Sequence, residues 1–269
     1  MPAAEAASTV ERAGPHLASR IDLLWSATAS AAPGTTLHEY FPDAGVQLVF
    51  RDSTEGCRAV LLGPTREMAA VERAGGAEYL GIRFLAGQAP RLADVRASDL
   101  VGGHVELTRI GGASVEEVAE RLRALPDAAA RRRALAERVA RADGALVEDA
   151  RCRRGALLVE ARRGRVRVEE LAAELGLEIR TLERRFHAQL GLTPKRLIRL
   201  VRLRHVLGAL HAGTFSSLAE LAQACGYSDQ PHLVRDFKAL TGRTPGVADA
   251  SRGRVLARSE TGVVHRYRP

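Results

Sequence analysis

The stretch LAQACG at residues 221–226, followed by FKALTGRTP at 237–245, decides how the second half of this chain folds. Both pieces have an earlier counterpart, LAAELG at 171–176 and FHAQLGLTP at 186–194. Each copy has the pattern Leu-Ala-x-x-x-Gly and then Phe, Gly, Thr and Pro at the spacing F-x4-G-x-T-P. Such a duplication indicates two copies of one small helical unit.

The spacing within each copy is typical of a helix-turn-helix. Its two helices cross closely, so the first needs a small residue at the contact, which Ala172 and Ala222 supply. The turn needs a residue that tolerates positive φ, which Gly176 and Gly226 supply. The second helix then needs buried apolar residues, which are Leu177, Leu182 and Phe186 in one copy and Tyr227, Leu233 and Phe237 in the other. One match would also fit an ordinary helical hairpin, but two matching copies favour helix-turn-helix units.

The two copies differ slightly in their turns. From the turn glycine to the buried leucine is six residues in the first copy and seven in the second. We therefore expect the second turn to be one residue longer.

Basic residues are concentrated in the half that holds these copies. The chain has 269 residues and a formal net charge of +8. Residues 1–125 carry a net charge of −4 and residues 126–269 carry +12. This asymmetry points to a polyanionic partner rather than to general solubility. The near absence of lysine fits codon bias in a GC-rich genome. Codon bias does not explain the difference in net charge between the two halves.

The first half has the pattern of a small antiparallel β unit. Short segments there alternate or run apolar between turn-forming clusters. The strands predicted in this way are Thr36–Tyr40, Val46–Phe50, Ala59–Leu62 and Tyr79–Phe84.

The pattern then becomes helical. A helix is predicted over Val115–Leu125, with Ser114 as its N-cap, and a second over Ala128–Ala142. From Leu146 to about residue 250 helix formers dominate. We therefore predict an α+β chain with three parts: a small β-rich N-terminal domain with trailing helices at 1–143, an all-α domain with two helix-turn-helix units at 144–250, and a basic, mobile tail at 251–269.

Residues from about 146 to 250 resemble the DNA-binding domain of the AraC/XylS family of bacterial transcriptional regulators. The segments that carry the resemblance are ELAQACGYSDQ at 220–230, with FK and GRTP at 237–245, and the first copy at 168–186, including RTLERRF. The resemblance implies seven helices, with a long helix joining the two units. That helix would have Thr193 as its cap and Pro194 at its first position, and would run to about Leu210.

By this resemblance, the base-facing positions of the first unit are Arg180, Glu183 and Arg184. Their spacing puts them on one helix face, away from Leu182 and Phe186. Arginine can bind guanine O6 and N7, and glutamate can accept from cytosine N4, so the trio suits a G·C-containing site. The alternative is a solvated charged face with local Glu–Arg pairs.

Aligning the two copies places the corresponding positions of the second unit at Pro231, Val234 and Arg235, with Gln230 just before them. Gln230 can read adenine, Val234 can touch a thymine methyl group, and Arg235 can reach a base or a phosphate.

Three residues depart from the family pattern, and one of them is Leu233, which stands where the family often has Phe. Pro231 stands where the family often has Ser, and it removes an N–H that could meet a phosphate. Glu178 also stands where Ser is usual, and it is a weaker helix cap. Because of Pro231, we expect fewer specific contacts from the second unit.

Further basic residues are predicted to contact phosphates: Lys195, Arg196, Arg199, Arg202, Lys238 and Arg243.

The first half resembles, more weakly, an N-terminal domain of some members of the family, through FPDAG at 41–45, LVF at 48–50 and GIRF at 81–84. Such domains sense a small molecule or mediate dimerisation. Three aromatic residues, Trp25, Tyr40 and Tyr79, fit either a pocket lining or a core. His38 and His104 lack a third ligand at recognisable spacing, so no metal or other cofactor is predicted.

The sequence therefore predicts a transcription regulator, an activator by the resemblance, and not an enzyme. Double-stranded DNA is the expected partner, and the family implies RNA polymerase; a small-molecule effector and a homodimer stay open. No run of about 18 apolar residues and no signal peptide is present, so we expect a cytoplasmic protein without a membrane partner.

Two alternatives are a sequence-indifferent or architectural DNA-binding protein and a DNA-repair alkyl-acceptor protein. The second needs an activated thiolate. The chain has three scattered cysteines, Cys57, Cys152 and Cys225, which are too few for a four-cysteine zinc site.

Overall fold

The computed structural model of the chain describes residues 8–28, 35–213, 215–245 and 263–266. Within these ranges an antiparallel β region in the N-terminal half is followed by eight α-helices. The predicted α+β class is therefore confirmed. In the described ranges no helix combines the length and apolar composition that would let it cross a membrane.

The β region contains one large and two small sheets, all antiparallel. The six-stranded sheet has the order β1-β2-β7-β4-β5-β8, from the strands β1 (Ser8–Arg12), β2 (Ile21–Thr28), β4 (Gln47–Ser53), β5 (Gly56–Leu62), β7 (Glu78–Phe84) and β8 (His104–Leu107). The three-stranded sheet has the order β11-β3-β6, from β3 (Thr35–Tyr40), β6 (Ala69–Ala74) and β11 (Val263–Arg266). Strands β9 (Arg109–Ile110) and β10 (Ala113–Ser114) form a hairpin.

All four predicted strands are present, as β3, β4, β5 and β7. Strand β2 was not predicted, and nearly all of its residues are buried. A strand that is buried on both faces shows no alternation of apolar and polar residues, so its sequence lacks the usual signal.

Trp25 on β2 packs directly over Gly81 on the neighbouring strand β7. A Cβ atom on Gly81 would lie 1.9 Å from Cε2 of Trp25, so only glycine leaves room for the indole ring. Trp25 is 2% exposed and shares a small apolar cluster with Ala27, Ala77 and Tyr79. Of the three aromatic residues considered for a pocket, Trp25 and Tyr79 lie in this cluster, and Tyr40 is also buried.

Helices α1 (Val115–Arg123) and α2 (Ala128–Ala140) contact strands of the six-stranded sheet. Ser114 caps α1 as predicted, since its side chain accepts from the Glu117 N–H and Glu117 accepts from the Ser114 N–H. Both helices end two residues before their predicted ends. The predicted domain boundary at 143/144 falls between α2 and the next helix, and it stays a prediction.

Six helices follow α2: α3 (Ala150–Ala161), α4 (Val168–Glu174), α5 (Ile179–Leu190), α6 (Pro194–Ala212), α7 (Leu218–Ala224) and α8 (Gln230–Thr241). Helix α6 is the predicted long joining helix, and it runs two residues beyond Leu210. Its N-cap is Thr193, whose hydroxyl accepts from the Arg196 N–H at 3.2 Å, and Pro194 follows at the first position. The seventh helix that the resemblance implies is not found in the described residues, and residues 246–262 lie outside them.

A chain of alternating charges joins the sheet to these helices. Arg83 on β7 is 1% exposed; its Nε lies 2.6 Å from Oδ2 of Asp43, and its Nη1 lies 2.8 Å from Oδ2 of Asp22. The same Asp22 oxygen lies 3.6 Å from Nη1 of Arg204 on α6. Arg204 makes two hydrogen bonds to Glu160 on α3. We call these five residues, Asp43, Arg83, Asp22, Arg204 and Glu160, the charge relay.

Within the charge relay, the effect of burial on Asp43 is offset by its neighbouring cation. Burial raises the pKa of Asp43, but the neighbouring Arg83 guanidinium outweighs burial, so that the pKa lies below its ordinary value. Glu160 also accepts a hydrogen bond from the Ala86 N–H at 3.2 Å. Each charge in the relay therefore has an opposite charge beside it, as buried ions require.

Strand β11 pairs with β3, with Val263 opposite Tyr40 and Arg266 opposite Leu37. These four residues belong to the segment expected to be a mobile tail, so the structure differs from that expectation at this point. The two valines favour a strand, and β3 offers an edge for it to pair with. The remainder of the tail lies outside the described residues.

Removing one charge of the relay should destabilise the fold strongly. We expect Arg204→Ala to lower the free energy of unfolding by about 3–5 kcal/mol, because it leaves Glu160 buried without a cation. Urea denaturation monitored by circular dichroism measures this change. The matched control is Arg58→Ala, which breaks an exposed pair with Glu106 at 3.8 Å and should cost less than about 0.5 kcal/mol. Equal effects of the two substitutions would contradict the relay's role.

The contact between Trp25 and Gly81 predicts a second difference in stability. We expect Gly81→Ala to destabilise the protein by about 1–3 kcal/mol, because the new methyl group overlaps the indole ring. Gly208→Ala in helix α6 has no atom within 4 Å of the added Cβ, so it should stabilise the protein by about 0.5–1 kcal/mol. Thermal denaturation of the two variants checks the opposite signs, and a shift of the same sign in both would contradict the packing argument.

Candidate nucleic-acid interface

Two helix-turn-helix units are built as the sequence predicts. Helices α4 and α5 form the first unit, and α7 and α8 form the second. Ala172 and Ala222 are buried, at 3% and 0% exposure. The turn glycines have positive φ, 62° at Gly176 and 78° at Gly226. Four residues separate α4 from α5 and five separate α7 from α8, so the longer second turn is confirmed.

The apolar side of each second helix is fully buried. Leu182 and Phe186 on α5, and Leu233 and Phe237 on α8, are each 0% exposed. These contacts fix which face of α5 and of α8 points outward. The burial of these four side chains therefore turns the opposite face of each helix outward.

The outward face of α5 holds the three predicted base-contacting residues of the first unit. Arg180, Glu183 and Arg184 are all exposed. Within the described ranges none of them makes an ion pair or a side-chain hydrogen bond, so the expected alternative of local Glu–Arg pairing is not seen. All three side chains are available to a ligand.

The predicted residues of the second unit lie at the start of α8. Gln230, Pro231 and Arg235 are exposed, and Val234 is half-buried. Pro231 is tolerated there because the first turn of a helix needs no intrahelical N–H donor. Asp229 caps the helix, accepting from the His232 N–H at 2.7 Å. At the start of α5, by contrast, Glu178 makes no side-chain cap bond, in line with its expected weakness as a cap.

The six predicted phosphate ligands differ in their exposure and in their bonding within the protein. Lys195 and Lys238 are exposed, as a phosphate ligand must be. Arg196, Arg199 and Arg202 are half-buried and bonded inside the protein. Arg243 is also half-buried, and its backbone N–H donates to Oγ1 of Thr241.

Each of the three half-buried arginines, Arg196, Arg199 and Arg202, bonds to a residue outside α6. Nε of Arg199 lies 2.5 Å from Oδ1 of Asp236 on α8, and Nε of Arg202 lies 2.7 Å from the carbonyl oxygen of Gly164. Arg196 donates to the carbonyl oxygen of Arg66 in the N-terminal domain. Burial lowers the pKa of Arg196, as do the positive charges of Arg199 and Arg66.

A network around Asp236 was missed by sequence reasoning. The Tyr227 hydroxyl donates to Oδ2 of Asp236 at 3.1 Å, and the guanidinium of Arg202 lies 5.6 Å from the centre of the Tyr227 ring. The His232 ring meets the same tyrosine edge-on, with ring centres 5.1 Å apart. These contacts fix the second unit against α6, and no sequence motif distinguishes Asp236 from an exposed acid.

The N-terminal domain contacts the end of α5 closely. Gly191 ends this helix with φ of 63°, and its carbonyl oxygen accepts a hydrogen bond from Arg66. A Cβ atom on Gly191 would lie 2.4 Å from Cγ2 of Val101 and 3.0 Å from Cα of Ser98. The C-terminal end of α5 is therefore held by residues of the N-terminal half.

The cysteines lack the features of reactive thiols. Cys152 and Cys225 are buried and Cys57 is half-buried. Burial, with the nearby Asp149 carboxylate, raises the pKa of Cys152 to about 12, and burial also raises the pKa of Cys225. A thiol with a raised pKa is a poor nucleophile, which argues against alkyl-acceptor chemistry at these two residues. Of the two histidines considered as metal ligands, His104 is exposed, and the side chain of His38 lies outside the described part.

Comparison with known proteins yields two family matches. Residues 171–250 match a helix-turn-helix domain, and residues 11–106 match a domain of unknown function, DUF6597.

Curated relatives match through the second half of the chain. The HTH-type transcriptional activator RhaS of Klebsiella pneumoniae (strain 342) is 38% identical over 73 residues, which are 26% of this chain and 25% of that protein. RhaS of Escherichia coli (strain SE11) is 36% identical over the same length and shares of the two chains. The chain thus spans about a quarter of the curated relatives that it matches. A solved structure, a probable AraC family transcriptional regulator from Rhodopseudomonas palustris CGA009, is 26% identical with a TM-score of 0.35, covering 41% of this chain and 99% of that one.

The duplicated units, the helix-turn-helix domain match and the curated relatives agree for the second half of the chain. In its C-terminal double helix-turn-helix region, this chain is similar to transcriptional regulators of the AraC/XylS family.

Proposed function

We propose that this protein is a sequence-specific, DNA-binding transcription regulator that reads two successive major grooves with α5 and α8. The observation that carries the proposal is the pair of recognition helices with outward residues on one shared scaffold. Helix α6, with 19 residues, is about 28 Å long. That length is close to the ~34 Å that separates successive major grooves on one face of DNA.

The first unit is expected to supply most of the specificity. Arg180, Glu183 and Arg184 extend from the first two turns of α5, the part of a recognition helix that meets base edges. Two arginines and one glutamate match the acceptors of guanine and the donor of cytosine. In the second unit Gln230 and Arg235 are exposed, and the half-buried Val234 has less surface to offer.

Phosphate contacts are assigned to Lys195 and Lys238. Both are exposed, whereas Arg196, Arg199 and Arg202 have protein partners. We therefore assign the three arginines a role in holding the scaffold together.

The N-terminal domain is proposed to control DNA binding, either by an effector or by dimerisation. Two sets of contacts support this: the charge relay joins the sheet to α6, and Arg66 binds the cap of α5. A change in the sheet domain would thus act on both the scaffold and one recognition helix. Sedimentation of the full chain at micromolar concentration separates the two modes, because dimerisation predicts a dimer and effector control alone predicts a monomer.

Activation of transcription is the proposed outcome, with RNA polymerase as the protein partner. The named relatives, which match through the DNA-binding half, are transcriptional activators. A cytoplasmic location accords with this function. Transcription in vitro from a promoter that carries the selected site tests the sign of regulation.

Selection of bound DNA from a random pool, followed by footprinting at physiological salt, tests the central proposal. We expect a motif in two parts, about one helical turn apart, with G·C pairs in one part. A steep salt dependence without any recovered motif would instead establish a sequence-indifferent DNA-binding protein. A motif shorter than one half-site would contradict the use of both units.

Loss of one base-reading arginine should change specificity as well as affinity. We expect Arg184→Ala to weaken binding to the selected site by about 1–3 kcal/mol and to relax the preference at one base pair. Titration of the variant against single-base-pair mutants of the site measures both effects. Equal weakening on every sequence would make Arg184 a phosphate ligand instead.

Loss of an exposed lysine should change affinity without changing sequence preference. We expect Lys195→Ala to weaken binding to all sequences alike, and to reduce the slope of log K against log salt by about 0.9. Arg58→Ala in the sheet removes the same charge away from the recognition helices and should leave the slope unchanged. An unchanged slope in both variants would remove Lys195 from the interface.

A further inference from the structure

A polar cleft lies where the segment between α2 and α3 meets the loop that follows β7. Its volume is about 510 Å³, within the range of roughly 300–1,000 Å³ that small-molecule sites occupy. We call it the linker cleft. The large side chains that line it are those of Arg20, Gln88, Arg91, Glu148 and Arg153. All five end in a charged group or an amide, so the cleft suits a hydrophilic ligand.

The linker cleft is formed by parts of the chain that are bonded to one another. Arg20 directly precedes β2, Gln88 follows β7, and Arg153 lies on α3. Nε2 of Gln88 donates to the carbonyl oxygen of Arg153 at 3.1 Å. The N–H of Leu146 donates to the carbonyl oxygen of Ala89 at 2.9 Å. These bonds hold the loop after β7 against the segment that leads into α3.

Positive charge exceeds negative charge in the linker cleft. Its three guanidinium groups share one lining carboxylate, that of Glu148, which binds Arg91. These two side chains are 70% and 39% exposed, and an ion pair in such a position contributes little to stability, so a ligand can replace it at small cost. Arg20 and Arg153 form no ion pair with any residue in the described ranges. The lining therefore carries an excess of two positive charges.

Arg153 is held in place by one nitrogen and keeps one edge unused. Its Nη1 donates to the carbonyl oxygens of Val147 and Glu148, each at 2.7 Å. Its Nε and Nη2 have no hydrogen-bond partner within the part of the chain that the structure describes. Two neighbouring N–H groups of a guanidinium match the oxygens of a carboxylate or a phosphate and bind them through parallel hydrogen bonds. Arg153 is thus oriented to receive such a group.

The segment that forms one wall of the linker cleft is also bonded to the first recognition helix. Oε1 of Gln189 on α5 accepts from the backbone N–H groups of Glu148, at 3.1 Å, and of Asp149, at 3.2 Å. Nη1 of Arg185 on α5 lies 2.7 Å from Oδ2 of Asp149. A ligand that acts on Glu148 or its neighbours therefore reaches α5 through direct contacts.

The excess charge, the unused guanidinium edge and the polar lining fit one class of ligand. We infer that the linker cleft is the effector site of this protein and that it binds a small anion through a carboxylate or phosphate group. The free edge of Arg153 binds two oxygens of that group. Arg20, whose Nη1 makes one long bond of 3.5 Å to the carbonyl oxygen of Ala140, supplies a second cation. The inference rests on the proposed effector control of DNA binding and adds the site and the chemistry of the effector.

Calorimetric titration of the full-length protein at constant ionic strength tests the site, with inorganic phosphate and succinate as probes. At least one of these anions should bind with a dissociation constant of about 1 mM or lower. The tighter of the two shows whether the cleft prefers a phosphate or a carboxylate. Succinamide keeps the shape of succinate without its charges and should not bind. The absence of binding by both anions would overturn the inference.

Variants of the lining locate the bound anion. Arg20→Gln and Arg153→Gln should each weaken binding of the tighter probe about tenfold, because each removes a charge-assisted hydrogen bond. Arg20→Gln loses only the long contact with Ala140, so it serves even if circular dichroism shows Arg153→Gln unfolded. The matched control is Arg184→Gln, which removes a cation from α5 and should leave the affinity unchanged. Wild-type affinity in Arg20→Gln, or in a folded Arg153→Gln, would overturn the inference.

Binding of the selected DNA duplex, measured with and without the tighter probe at constant ionic strength, tests the role as an effector site. We expect the probe to change the affinity of the wild-type protein for DNA about fivefold or more, and to have no effect on Arg20→Gln. An equal change in both proteins would indicate competition at the DNA-binding face. That result, or no change in either protein, would contradict the role as an effector site.

The inference and the proposed function fail in different ways. If no motif is recovered from the random pool while anion binding depends on Arg20, the proposed sequence-specific function is wrong and the linker cleft stands as an anion site. If a motif is recovered while anion binding does not depend on Arg20, the function stands and the assignment of the cleft is overturned.

Discussion

The guanidinium of Arg204 lies between carboxylates from two distant parts of the chain, Asp22 on β2 and Glu160 on α3. Charges removed from water are tolerated only while each keeps its partner at close range. The position of α6 is therefore coupled to that of β2 and, through Arg83, to that of β7 and the Asp43 turn. Since both helix-turn-helix units pack on α6, this requirement extends from the sheet to both recognition helices.

Around α6, arginine has two separate uses. On its inner sides Arg199, Arg202 and Arg204 bind Asp236, Gly164 and Glu160, and so join the neighbouring elements. On α5 the arginines at 180 and 184 have no such partner in the described part and point outward. An Arg-rich composition thus supplies both internal ties and an external surface.

Sequence reasoning succeeded where the cause of structure is local. The small residue Ala172 and the turn glycines each act within a few positions, so the duplicated units could be placed from spacing, whereas α6, with its cap at Thr193, was placed from the family resemblance. It failed where the cause is distant. The pairing of Asp22 with Arg204 joins residues far apart in sequence, and Arg199 could not be told from an exposed phosphate ligand before Asp236 was seen beside it. Strand β2 was missed for a related reason, because burial on both faces removes the alternation.

The pairing of β11 with β3 changes how the chain is connected as a whole. In chain order, α2 is followed by both helix-turn-helix units. The last described strand, β11, then pairs again with a strand of the β region. Along the sequence, both helix-turn-helix units therefore lie between strands of the β region. A domain attached at one end can swing about a single linker, whereas one attached at both ends is limited by two. Any reorientation of the helix-turn-helix units must therefore keep the chain connected to the β region on both sides, before α3 and after α8.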